Sequence, residues 1–108
     1  MENVNNKVFL SGFAGADPEV TTIYDNLRLA RVNLAVIEHY RNALNEEVKK
    51  TQWFTITFWN AKADLVEAKI KKGSRLSIKG RLQTNHYEGK DGIKRYAVEI
   101  VANDIEYL

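Results

Sequence analysis

Between residues 53 and 59 the chain reads Trp53-Phe54-Thr55-Ile56-Thr57-Phe58-Trp59, an alternation of two kinds of surface. Successive side chains of a strand point to opposite sides. Phe54, Ile56 and Phe58 therefore form one apolar face suited to a core, and Trp53, Thr55, Thr57 and Trp59 share the other. Two hydroxyls enclosed between rings in a dry interior would need buried partners, at about 1 to 3 kcal/mol each if left unsatisfied. A half-wet aromatic face is the simpler arrangement. Such a face suits a ligand or a subunit interface, where tryptophan and tyrosine are enriched.

The same reading extends along the chain. Residues 7–14 form a first strand, stopped by Gly15 and a turn at Asp17-Pro18-Glu19, where proline presets φ and removes a ladder donor. Residues 20–24 extend it. Residues 27–40 form a long second strand in which Leu27 and Leu29 share one phase and Ala30, Val32, Leu34 and Val36 the other, a switch that predicts a bulge near Leu29. A polar loop over 41–47 leads to a third strand at 48–60, and the two strands pair as a hairpin. In 61–72, Ala63, Val66 and Ile70 recur at helical spacing, with Gly73 placed for a left-handed cap. Strand period returns with Leu76, Ile78, Gly80 and Leu82 on one face and Ser77, Lys79, Arg81 and Gln83 on the other. Glycines mark a hairpin loop at 88–92, and 94–108 supply a last long strand.

The order is strand, strand, strand, helix, strand, strand. It predicts an all-β chain with one short helix, an OB-fold: a partly open five-stranded Greek-key barrel that binds oligonucleotides or oligosaccharides across its second and third strands and adjoining loops. Trp53 and Trp59 fall on the third strand, Tyr40 ends the second, and Tyr87 opens the loop between the fourth and fifth. Four aromatics thus lie where the binding face belongs.

Length and composition narrow the picture. A chain of 108 residues fits one domain, 1–108, with a real core and no room for a second. The absence of cysteine excludes disulfides, thiolate chemistry and cysteine-type zinc sites, and is compatible with a reducing cytoplasm. The N-terminus shows no basic segment followed by an apolar run, and no stretch approaches the roughly 20 apolar residues of a membrane span, so a cytoplasmic location with no membrane partner is expected. The formal net charge is +2, but it is unevenly placed: −2 over residues 1–68, +7 over 69–95 and −3 over 96–108. Lys69, Lys71, Lys72, Arg75, Lys79, Arg81, Lys90, Lys94 and Arg95 supply a candidate footprint for a polyanion or, more plainly, a solvated face.

Catalysis finds no support. His39 and His86 lie far apart with no neighbouring ligand cluster, and neither a Ser-His-Asp order, a phosphate loop nor a dinucleotide glycine pattern occurs. No enzyme, metal or cofactor is expected. Glu46 and Glu47 read as solvated loop charges, Asp64 and Glu67 as solvated helix charges, and Gly12, Gly15 and Gly80 as barrel bends.

Several segments also resemble one family, the bacterial single-stranded DNA-binding proteins. Asn6-Lys7-Val8-Phe9-Leu10-Ser11-Gly12 with Asp17-Pro18-Glu19-Val20 is similar to its opening strand and turn. Asn33-Leu34-Ala35-Val36, Thr51-Gln52-Trp53, Lys71-Lys72-Gly73-Ser74 and Gly80-Arg81-Leu82-Gln83-Thr84 follow at the family's spacings. The resemblance implies base stacking on Tyr40, Trp53, Trp59 and Tyr87, the four already selected, and places family phosphate contacts approximately at Lys7, Arg41 and Lys72. Arg81, Lys90 and Lys94 join them from the basic segment. It further implies a homotetramer, with a dimer as the alternative, and roles in replication, recombination and repair. The chain departs from the family at Phe13-Ala14, at Phe54 in place of a common histidine, and at Thr55 and Ala61, where basic residues are frequent. It also ends at Leu108, without the acidic-tipped tail by which family members recruit repair proteins, so recruitment by that route is not expected.

The mechanism so implied is sequence-independent: lysines and arginines track phosphates while rings stack on unpaired bases. Two rivals stand beside it. One is a primosomal replication-restart protein of related fold, and the other is a protein-interaction module whose aromatic face is buried against a partner.

Overall fold

The computed structural model of the protein describes residues 5–24 and 26–108. Its elements are β1 (Val8–Ala14), β2 (Glu19–Ile23), β3 (Leu27–Arg41), β4 (Glu47–Trp59), α1 (Ala61–Lys69), β5 (Arg75–Glu88) and β6 (Lys94–Tyr107). β1, β3, β4, β5 and β6 close into the expected five-stranded OB barrel. Closure needs two seams, a parallel one joining β4 to β6 at Ile56↔Ile100 and Thr57↔Val101, and an antiparallel one joining β1 to β3 at Phe13↔Ala35 and Ala14↔Leu34. Residues 20–23 lie in β2, which continues the line of β1 after the break at the proline turn: both strands run antiparallel to β3 along the same edge, Ala14↔Leu34 being followed by Glu19↔Arg31.

The apolar faces meet inside. Ala30, Val32 and Leu34 of β3, Ile56 and Phe58 of β4, Leu76 and Ile78 of β5, and Ile100 and Ala102 of β6 are buried in one cluster, closed at one end by Ala63, Val66 and Ile70 of the helical segment. Phe54 and Val20 pack partly against it. At about 25 cal/mol per Å² of apolar surface removed from water, this cluster is the dominant favourable contribution to folding.

Three local expectations are corrected. No bulge occurs near Leu29: β3 pairs with β4 in unbroken register from Leu29↔Trp59 to Arg41↔Glu47, and with β2 equally regularly. Leu29 and Ala30 are both buried because β3 is covered on both faces there, Leu29 sharing the outer face with Trp59 and Thr21 across the two ladders. The register shift lies instead between Lys79 and Gly80, in the β5–β6 ladder. The helix stops at Lys69, before Gly73, because Ile70 turns extended to bury its side chain in the core. Gly73 does take the left-handed conformation, but in the turn that follows, where Ser74 N–H donates to the Lys71 carbonyl at 2.9 Å.

Gly12 marks the tightest strand approach. A Cβ on it would lie 2.9 Å from the Ala35 carbonyl carbon and nearer still to its oxygen, so the β1–β3 seam admits no side chain. Two ribbons run beyond the barrel. The β3–β4 ribbon ends in a turn at 42–46 held by Asn42 Oδ1, which accepts from the Leu44 and Glu46 amides, and the β5–β6 ribbon turns over at 89–93.

Candidate nucleic-acid interface

Antiparallel residues that face each other share a side of the sheet. On the outer side of the β3–β4 ribbon the successive rungs are Ala35 with Trp53, Asn33 with Thr55, Arg31 with Thr57, and Leu29 with Trp59. The two tryptophans are six residues apart on one strand, roughly 20 Å at about 3.3 Å per residue. Trp53 is 61% exposed and Trp59 half-buried, so the half-wet aromatic face exists.

Trp53 is nevertheless seated. A Cβ on Gly15 would lie 2.9 Å from Cη2 of the Trp53 ring and nearer to Cζ3, so the ring rests directly on the glycine backbone. Gly15 is fixed in turn by its amide, which donates to the Asn33 carbonyl at 2.9 Å. Two residues on, Asp17 Oδ1 accepts from the Lys72 amide at 2.8 Å, and the Gly73 amide donates to the Ala14 carbonyl at 2.8 Å. The β1–β2 turn and the segment after α1 thereby bring Lys72 to the Trp53 end of the ribbon.

The polar residues between the rings divide. Thr55 Oγ1 donates to Asn33 Oδ1 at 3.2 Å on an exposed rung. Thr57, expected on the wet face, is fully buried, and its Oγ1 donates to the Ile100 carbonyl at 3.2 Å. The parallel seam with β6 supplies that carbonyl, so the hydroxyl is buried without remaining unsatisfied.

The four aromatics do not share one flat face. Tyr40 pairs with Val48, a rung of opposite parity from those of Trp53 and Trp59, and stands near the ribbon tip at 48% exposure, in a shallow hollow with His39, Arg41 and Glu47. Tyr87 lies on the other ribbon, opposite Arg95, in a hollow lined also by His86, Glu88 and Lys94. A strand touching all four has to wrap around the ribbons.

The basic residues fall into separate groups. Lys94 accompanies Tyr87, and exposed Lys90 lies in the turn of the same ribbon. Arg41 lies next to Tyr40 and donates to the Asn45 carbonyl at 3.0 Å, which fixes it over its turn. Lys7 precedes β1, whose Val8 pairs with Gly80, so it shares one end of the β1–β5 ladder with Arg81. Arg81 donates to Asn103 Oδ1 at 3.4 Å. Others of the basic segment are occupied elsewhere: Arg95 pairs with Asp91 at 2.7 Å, and Lys79 sits 5.0 Å over the Phe9 ring.

Asp64 and Glu67 are not merely solvated. Each accepts from the Arg28 guanidinium at 2.5 Å, fastening α1 to β3. Among the described residues no group of histidine and carboxylate side chains is arranged to hold a metal ion, and no helix is long and apolar enough to cross a membrane.

Sequence reasoning passed over Gly15 as a seat and Arg31 and Asn33 as neighbours of the tryptophans. Parity offered a signal for the last two, since Arg31 and Asn33 alternate with the buried Ala30, Val32 and Leu34; the seating of Trp53 on Gly15 is a contact between β4 and the β1–β2 turn, which no local pattern encodes.

Comparison with known proteins agrees with this geometry. The family described as the single-strand binding protein family matches residues 5–108. A single-stranded DNA-binding protein of Neisseria meningitidis is 36% identical over 103 residues, covering 95% of this chain and 59% of its own length, and one of Rhizobium meliloti is 38% identical over 98 residues, covering 89% and 56%. The chain thus spans less than two thirds of these relatives. Among solved structures, a Plasmodium falciparum SSB in complex with ssDNA superposes with a TM-score of 0.84 at 28% identity, covering 100% of this chain and 98% of that one. A deletion mutant of the single-stranded DNA-binding protein from Thermus aquaticus gives 0.85 at 26% identity, covering 95% and 50%. With its opening motif, closed barrel and aromatic ribbon face all in place, the chain belongs to the single-strand binding protein family.

Proposed function

We propose that residues 1–108 act as one domain that binds single-stranded DNA without regard to sequence, by stacking bases on Trp53, Trp59, Tyr40 and Tyr87 while Lys7, Arg41, Lys72, Arg81, Lys90 and Lys94 contact phosphates. The observation that carries this reading is the exposed, backbone-seated Trp53 on one face with Trp59, in a chain of this family. No bond is made or broken. Unpaired bases offer π-faces to the rings, each stack contributing about 1 to 3 kcal/mol by alanine substitution, and phosphate contacts add a salt-dependent component. Duplex DNA competes poorly because its bases already stack on one another.

Replication, recombination and repair are the processes in which exposed single strands need such cover, and the cytoplasm is the compartment proposed. A homo-oligomer is proposed as well, a tetramer before a dimer. Among the described residues, 8–11 of β1 pair with β5 alone, which leaves their other edge open, and Phe9 beside it is 65% exposed. Such an edge is a ready template for another chain.

The test is tryptophan fluorescence during titration with oligothymidine at low and high salt, with duplex as control. Strong quenching by the single strand is expected, weakened by salt. Trp53→Ala and Trp59→Ala should each weaken binding about 5- to 150-fold while leaving the fold intact. Wild-type binding by both variants would refute stacking on this face. Absence of any response to nucleic acid would turn attention to a protein partner.

A further inference from the structure

The geometry points to Arg31 as a phosphate-gripping residue set between the two tryptophans, a role that rests on the single-strand reading above. Arg31 lies on the same outer face, opposite Thr57, one two-residue step from the Trp59 rung and two from the Trp53 rung. Those steps are roughly 7 and 13 Å along the strand. Its side chain is exposed, and among the described residues it forms neither an ion pair nor a side-chain hydrogen bond.

Its isolation is notable because a carboxylate is close. Glu19 of β2 is the Cα partner of Arg31 on the other side, yet no ion pair joins them. Arg28, three residues earlier, is by contrast spent on Asp64 and Glu67. The guanidinium of Arg31 therefore presents five uncommitted N–H donors and a full positive charge to solvent at the middle of the aromatic face.

The next rung adds to this. Asn33 Oδ1 is taken by Thr55 Oγ1, so the acceptor side of the amide is occupied, and its NH2 group is left to donate outward. Between Trp59 and Trp53 the surface thus offers donors and positive charge. A phosphodiester running between two stacked bases presents acceptors and negative charge, and planar guanidinium groups match that geometry with paired hydrogen bonds. The ligand chemistry is the phosphate backbone, so the contact should be indifferent to base identity.

The test compares wild type, Arg31→Ala and Arg31→Lys by oligothymidine titration over a range of salt concentrations, with thermal melting of each free protein. Arg31→Ala should bind about tenfold more weakly at low salt, with the slope of log affinity against log salt reduced by about 0.7, the value for one phosphate contact on a single strand. Arg31→Lys should restore most of that slope and part of the affinity, and the melting temperatures should coincide. Wild-type affinity and slope in Arg31→Ala would overturn the assignment while leaving the single-strand reading standing. Equal losses in both variants with an unchanged slope would also overturn it, since they would mark a structural role. Failure of the wild type itself to bind would remove the reading on which it rests.

Discussion

Gly15→Ala offers the sharpest test of how Trp53 is held, because it adds one methyl group under an exposed ring. The new Cβ would stand 2.9 Å from Cη2 and nearer to Cζ3, whereas non-bonded carbons settle at about 3.5 to 4.0 Å. The ring must withdraw by roughly 1 Å, and it can, since it is the end of a side chain that is 61% exposed. Gly15 is not among the left-handed glycines, which are Gly73 and Gly92, so alanine meets no backbone strain. Replacing glycine at a compatible position removes unfolded-state freedom worth about 0.4 to 1 kcal/mol, which offsets the lost ring contact. Stability should therefore stay within about 1 kcal/mol of wild type. Binding should not. A tilted or mobile ring forfeits part of a stack worth about 1 to 3 kcal/mol, so a loss of about 1 kcal/mol, near fivefold in affinity, is expected. The assay is a double-mutant cycle on oligothymidine affinity with Trp53→Ala. If Gly15 acts through the ring, Gly15→Ala has no further effect once Trp53 is alanine. The same fivefold loss in both backgrounds would refute the seat, and so would a large drop in stability with affinity unchanged.

Gly12→Ala should behave in the opposite way. Its Cβ would run into the Ala35 carbonyl, which is backbone and cannot swing aside, so thermal or urea unfolding should show a loss of at least about 3 kcal/mol. Thr57→Val keeps the shape but removes the donor to the Ile100 carbonyl, and should cost about 1 to 2 kcal/mol of unfolding free energy with oligothymidine affinity unchanged. An affinity loss there larger than the stability loss would return Thr57 to the binding face.

Much of the barrel was legible because strand alternation is a local property. The phases of residues 53–59 and 76–82 placed Ile56, Phe58, Leu76 and Ile78 in the core, where they are buried. The long β3–β4 and β5–β6 hairpins followed from turn chemistry. Reading failed where burial came from a distant segment. Thr57 looked half-wet on its own strand, but β6 arrives beside it from 43 residues away. The phase switch at Leu29 looked like a bulge, but β2 and β4 flank that position and leave the register intact. Asp64 and Glu67 looked solvated, but Arg28 reaches them from β3.

The candidate site divides in the same way. Sequence by itself determined which residues are aromatic or basic and which of them share a strand face, because that parity depends only on the alternation of an extended backbone. It therefore paired Trp53 with Trp59 and identified a strongly basic segment. Tertiary structure alone decided that Gly15 forms the floor under Trp53, that Tyr40 stands on the opposite side of its ribbon, that the basic segment is split between separate surfaces, and that Arg31 is left uncommitted while Arg28 is not. These are matters of which segments meet when the barrel closes, and closure is set by the burial of the whole apolar set at once rather than by any stretch of chain.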